Sequence, residues 1–73
     1  MSEIRKLNKL DANDILAKMT LDEVPEGYRD EVWVAEENEE IVDNWFVGSE
    51  GAVSYSSGMT LTTEEWNIRR KKI

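Results

Sequence analysis

The chain has 73 residues, 16 acids against nine bases, a net charge of −7, and neither cysteine nor histidine. That composition excludes disulfide staples, a thiol nucleophile and the commonest general base. The length fits one domain, 1–73, whose small core supplies about 3–5 kcal/mol, and no apolar run approaches the roughly 20 residues of a membrane span.

Residues 1–9 mix polar and apolar positions, and Ile4 and Leu7 can anchor a short strand or a loose arm. Asp11 is placed as an N-cap, with Leu10 and Ile15 as a hydrophobic staple around it. Asp14 then falls in the first turn, where a carboxylate suits the helix dipole. Ala12, Ile15, Leu16 and Met19 share one helical face, so a helix is predicted over about 12–20. Val24-Pro25-Glu26-Gly27 reads as a turn. Glu31–Ala35 reads as a strand, Glu36–Glu40 as an acidic connection, and Ile41–Val47 as a second strand. Gly48–Gly51 is a hairpin-like turn, and Ala52–Ser56 a third strand with Val53 and Tyr55 on one face.

Thr62-Thr63-Glu64-Glu65 has the form of a capping box, with Leu61 and Trp66 as the staple. A helix over about 63–71 follows, acidic at its start and basic at its end through Arg69, Arg70, Lys71 and Lys72. The order α-β-β-β-α predicts a small α+β domain built on a three-stranded antiparallel meander. Trp45 and Phe46 put large rings on both faces of one strand, which calls for a helix-covered sheet or a dimer. With so small a core, and three Trp residues to furnish an interface, a homodimer is expected.

Chemistry has little purchase here. Carboxylate pairs such as Glu36 and Glu40 are plentiful, but paired carboxylates act in a pocket that separates their pKa values, and a short chain has little room for one. Asp11-Ala12-Asn13 resembles the opening of a calcium loop, yet Leu16 stands where glycine is needed and Asp22 where glutamate is needed. The basic C-terminal run is explained by the helix dipole. No enzyme, cofactor or metal is therefore expected.

The acid itself is concentrated. Eleven carboxylates (Asp22, Glu23, Glu26, Asp30, Glu31, Glu36, Glu37, Glu39, Glu40, Asp43 and Glu50) share one segment with a single base, Arg29. Val32, Trp33, Val34, Ile41, Val42, Trp45, Phe46 and Val47 lie in the same segment, so it is a folded surface with a strong negative field and not a disordered tail. Such a field repels phosphate and attracts basic partners. In an extended strand, residues i and i+2 lie about 6.6–6.8 Å apart on one face, comparable to neighbouring phosphates. Glu37 and Glu39 have that sequence spacing, and Glu31 and Asp43 on adjacent strands could add a second row. All eleven acids are the candidate partner-binding residues.

With this acidic middle, the three Trp residues and the compact size, the chain resembles the small acidic host-takeover proteins of bacteriophages. It looks most like the Bacillus-phage DNA mimics that inhibit the nucleoid protein HU. The resemblance implies a binding-only inhibitor that occupies the DNA-binding surface of a host basic protein, in the host cytoplasm and nucleoid-associated through its partner. The N-terminus carries no apolar stretch of a secretory signal, consistent with that location. An adaptor that grips a host enzyme such as RNA polymerase or a defence nuclease through a Trp anchor is the alternative. A structural protein that only self-associates is the third reading.

Overall fold

In a computed structural model, which describes residues 2–19 and 22–71, the chain runs β1 (Ser2–Lys6), α1 (Lys9–Ala17), a 3₁₀ turn (Glu26–Tyr28), β2 (Glu31–Glu37), β3 (Glu40–Gly48), β4 (Gly51–Ser54), β5 (Thr60–Leu61) and α2 (Thr63–Arg70). The strands form one antiparallel sheet in the order β1-β2-β3-β4-β5. The α+β class and the central meander hold. The sheet gains a strand at each edge: residues 2–6 form β1 against β2, and Thr60–Leu61 pair with β4.

The first helix begins one turn earlier than its sequence suggests. Asn8, not Asp11, is the N-cap, and its Oδ1 accepts from the Asp11 backbone N–H at 2.8 Å. Asp11 answers from the third helical position, accepting from Asn8 Nδ2 at 3.1 Å. Asn and Asp cap about equally well, so tertiary packing chooses between them. The choice undoes the staple, because Leu10 is 74% exposed. It also moves Asp14 out of the first turn, where Asp11 now sits. The apolar face holds for Ala12, which is buried, and for Ile15 and Leu16 beside it, but the helix ends at Ala17, short of the expected 20, and Met19 joins the same cluster from beyond its end. Thr20 and Lys72 lie outside the described residues.

Strand alternation splits the core in two. Val32, Phe46 and Val53 face α1 and join Ala12 and Val24. Trp33, Trp45 and Ala52 face the other way and pack around Trp66 of α2. Both faces of the Trp45–Phe46 step are thus covered by helices of the same chain. The three Trp rings are used within the fold, not as a free apolar interface, since Trp45 and Trp66 are buried and Trp33 is half-buried. α2 starts as its sequence predicts: Thr62 Oγ1 accepts from Glu65 N–H, and Glu65 accepts from Thr62 N–H. Those bonds favour the ionised Glu65 and hold its pKa below the usual carboxylate value.

The third strand stops at Ser54 because side chains close the chain there. Asp43 accepts from Ser54 Oγ at 2.5 Å and from Ser56 N–H at 2.9 Å, while Gly58 N–H donates to Ser54 O. Tyr55 therefore lies in a turn and not in the strand, with its ring edge-on to Phe46.

Candidate functional site

The fold sends the eleven acids to different places. Glu36, Glu37, Glu39 and Glu40 gather at the β2–β3 hairpin. Glu37 stands directly opposite Glu40, and Glu36 opposite Glu3 of β1. Glu26, Asp30 and Glu50 sit at the other end of the sheet, where Glu50 N–H donates to Gly27 O and Asp30 N–H to Val47 O. Asp22 and Glu23 line an open groove with Pro25, Val53 and Tyr55. Arg29 Nε donates to Val24 O at 2.7 Å and ties the 22–30 turn together.

Two of the eleven are held inside the fold. Glu31 accepts from Trp33 Nε1 at 2.9 Å and lies 3.2 Å from Lys6 Nζ. The indole donor first, then Lys6 and Arg70, hold its carboxyl below the usual carboxylate range despite partial burial. Asp43 is committed to the turn after β4. These two do not form a row. Asp43 is opposite Ala35, four residues along β2 from Glu31, about 13 Å in a strand. Glu36 forms an ion pair with Arg5. The acids that remain exposed at the hairpin are Glu37, Glu39 and Glu40, with Glu3 beside them.

The hairpin is a two-residue turn, not a loose connection. Asn38 and Glu39 have φ of 53° and 67°. Positive φ at both central positions is the type I′ geometry that matches strand twist, and glycine is its favoured second residue. The extended spacing expected for Glu37 and Glu39 is therefore not realised, because Glu39 is in the left-handed region. Asn tolerates that region well; a glutamate there is strained by about 1–2 kcal/mol. The signal was in the sequence: Asn38 between two runs of strand-formers marks a tight turn, but Glu39 in place of glycine hid it.

The hairpin thus combines three unfavourable choices: a glutamate where glycine fits, and like charges directly opposed at Glu37–Glu40 and at Glu3–Glu36. Opposed like charges in a sheet are destabilising. Glu39→Gly is accordingly expected to raise stability by about 1 kcal/mol, read as a higher urea midpoint at unchanged slope. An unchanged midpoint would show that the strain relieved is no larger than the backbone entropy glycine adds to the unfolded chain.

The two C-terminal arginines fall elsewhere. Arg69 lies over the Trp45 ring at 5.1 Å and Arg70 over Trp33 at 5.5 Å, so the C-terminal guanidinium groups cover the second core. Among the described residues no group of three or more acids is arranged to hold a metal ion. No helix among them is long and apolar enough to cross a membrane. Set against protein-family models, curated proteins and solved structures, the chain finds no match in any of the three.

Proposed function

We propose that this chain is a binding protein that presents its acidic β2–β3 hairpin to a basic nucleic-acid-binding protein and occupies the surface that protein uses for phosphate. HU is the first candidate, through the resemblance noted above. The observation that carries this reading is the hairpin's composition. Glu37, Glu39 and Glu40 are exposed on a tight turn, in positions where each acid lowers stability. Strain of this kind gathers at functional sites because it is retained for another purpose. There the carboxylates stand in for phosphate oxygens and accept charge-assisted hydrogen bonds from Arg and Lys. Glu26, Asp30 and Glu50 at the far end add to the field that steers a basic partner.

The Trp-anchored adaptor gains no support from the packing. Trp45 and Trp66 are 3% and 2% exposed, so neither offers a ring to a partner without unfolding α2, and the half-buried Trp33 lies under Arg70 with its N–H given to Glu31.

Binding and mimicry are tested together with labelled duplex DNA bound to purified HU. The parent chain is expected to release the DNA, less so as salt rises. Reversal of Glu37, Glu39 and Glu40 to Lys is expected to weaken that competition at least tenfold while circular dichroism stays unchanged. Glu36 is left in place because it pairs with Arg5. A parent that releases DNA neither from HU nor from any basic protein recovered with it at low salt would end the mimicry reading. Equal competition by the triple variant would move the site away from the hairpin.

A further inference from the structure

Among the described residues, the outer edge of β1 has no strand paired to it along its whole length. β1 has a neighbour on one side only. Leu7 N–H donates to Val32 O at 2.9 Å, in line with the β1–β2 register. Backbone groups alternate in direction along a strand. Leu7, Arg5 and Glu3 therefore turn theirs toward β2, and Lys6, Ile4 and Ser2 turn theirs outward. Neither Ile4 nor Lys6 makes a backbone hydrogen bond outside that ladder among the described residues.

Edge strands commonly carry charges that refuse a second strand. The charges of Ser2-Glu3-Ile4-Arg5-Lys6 do the opposite. When the strand is laid antiparallel to itself about Ile4, Glu3 faces Arg5 and Arg5 faces Glu3. We propose that β1 is a self-complementary edge on which a second copy of this chain docks. The two five-stranded sheets then join into one across a two-fold axis at Ile4.

The geometry is consistent at each level. The outward-turned residues are the ones that meet: Ile4 exchanges both backbone bonds with Ile4 of the second copy, and Ser2 does so with Lys6. Side chains directly opposite share a face, so the Glu3–Arg5 pairs form on one side and the Ile4 pair on the other. Ile4 packs against the Trp33 and Trp45 cluster, so the pairing sets the two second cores side by side. Arg5 also pairs with Glu36, and its five donors can serve both carboxylates.

Charge favours a second copy as the occupant. The acidic hairpin adjoins the Ser2 end of β1, because Ser2 pairs with Glu37. Lys6 lies at the opposite end of β1, and Lys9 opens the helix that follows. Inversion about Ile4 brings the hairpin of one copy within about two strand spacings, roughly 10 Å, of Lys6 of the other. That is about one Debye length at 0.1 M salt. Two chains of net charge −7 thus meet through ends of opposite sign, and both hairpins stay on the outside.

The test is sedimentation equilibrium at low ionic strength, up to about 1 mM chain. The parent is expected to associate as a dimer. Glu3→Arg puts Arg opposite Arg at both cross-strand pairs, and Arg5→Glu puts Glu opposite Glu. Each is expected to weaken association about tenfold or more. The double variant E3R/R5E restores the pairing. So does an equimolar mixture of the two single variants, because one strand then carries two Arg and the other two Glu. Glu3→Arg gives Glu36 a basic neighbour instead of removing one, so it reads association with the fold secure. Circular dichroism checks folding of each variant. A parent that stays monomeric overturns the proposal. So does a Glu3→Arg dimer as tight as the parent's, or a mixture no tighter than its folded components.

Discussion

Trp66→Ala is expected to unfold the domain at room temperature. Trp66 is 2% exposed and is the buried residue through which α2 holds the sheet. Its ring meets Trp33 edge-on at 5.6 Å and lies tilted on Trp45 at 5.2 Å. Truncating a buried Trp costs about 3–5 kcal/mol. A core of this size supplies about the same amount, so nothing remains. The loss also uncovers Trp33 and Trp45 and removes the platform under Arg69 and Arg70. Near-ultraviolet circular dichroism and a urea titration read the outcome. Trp66→Phe is the control. It keeps an aromatic ring and deletes an indole N–H that finds no acceptor among the described residues, so it is expected to stay folded with a lower midpoint. An alanine variant with the parent's midpoint would mean that α2 contributes nothing to the fold.

Gly51→Ala carries the second large effect. Gly51 opens β4 with φ of +134°, and a Cβ there would stand 2.0 Å from the Leu61 carbonyl oxygen. That oxygen belongs to the backbone of β5, which pairs with β4 through Ala52 and Leu61. It cannot retreat without parting the two strands and shifting the start of α2. Dihedral strain of about 1–3 kcal/mol adds to that displacement, and together they are expected to remove most of the stability. Gly58→Ala is the comparison at a positive φ without the contact. Gly58 also has positive φ, +72°, but nothing lies within 4 Å of its added Cβ. It should lower the denaturation midpoint only modestly, by about 1–2 kcal/mol in stability. Equal losses at the two positions would show that the contact with Leu61 is not the cause.

Much of the fold was legible because its signals are local. The capping box of Thr62 and Glu65 needs only four consecutive residues, and it holds atom for atom. The face of Ala12, Ile15 and Leu16 follows from helical period alone. The helix start was not legible, because Asn8 and Asp11 are both competent caps and only the turn from β1 into the sheet selects Asn8. The strand at residues 2–6 was legible only as one of two alternatives, a short strand or a loose arm: its five residues are mostly charged, and the edge of β2 decides for the strand.

The site divides along the same line. Composition alone places eleven acids and one base in the segment from Asp22 to Glu50, and with them the sign of the field. Charge is additive and needs no geometry. Which carboxylates face outward is a different matter. Glu31 and Asp43 look like their neighbours in the sequence, yet pairing hands one to Trp33 and Lys6 and the other to Ser54 and Ser56. The left-handed turn gathers Glu37, Glu39 and Glu40 at one tip and sends Glu26 and Glu50 to the far end of the sheet. Tertiary structure decided this because a side chain's neighbours are set by strand register, and register joins residues far apart in the chain.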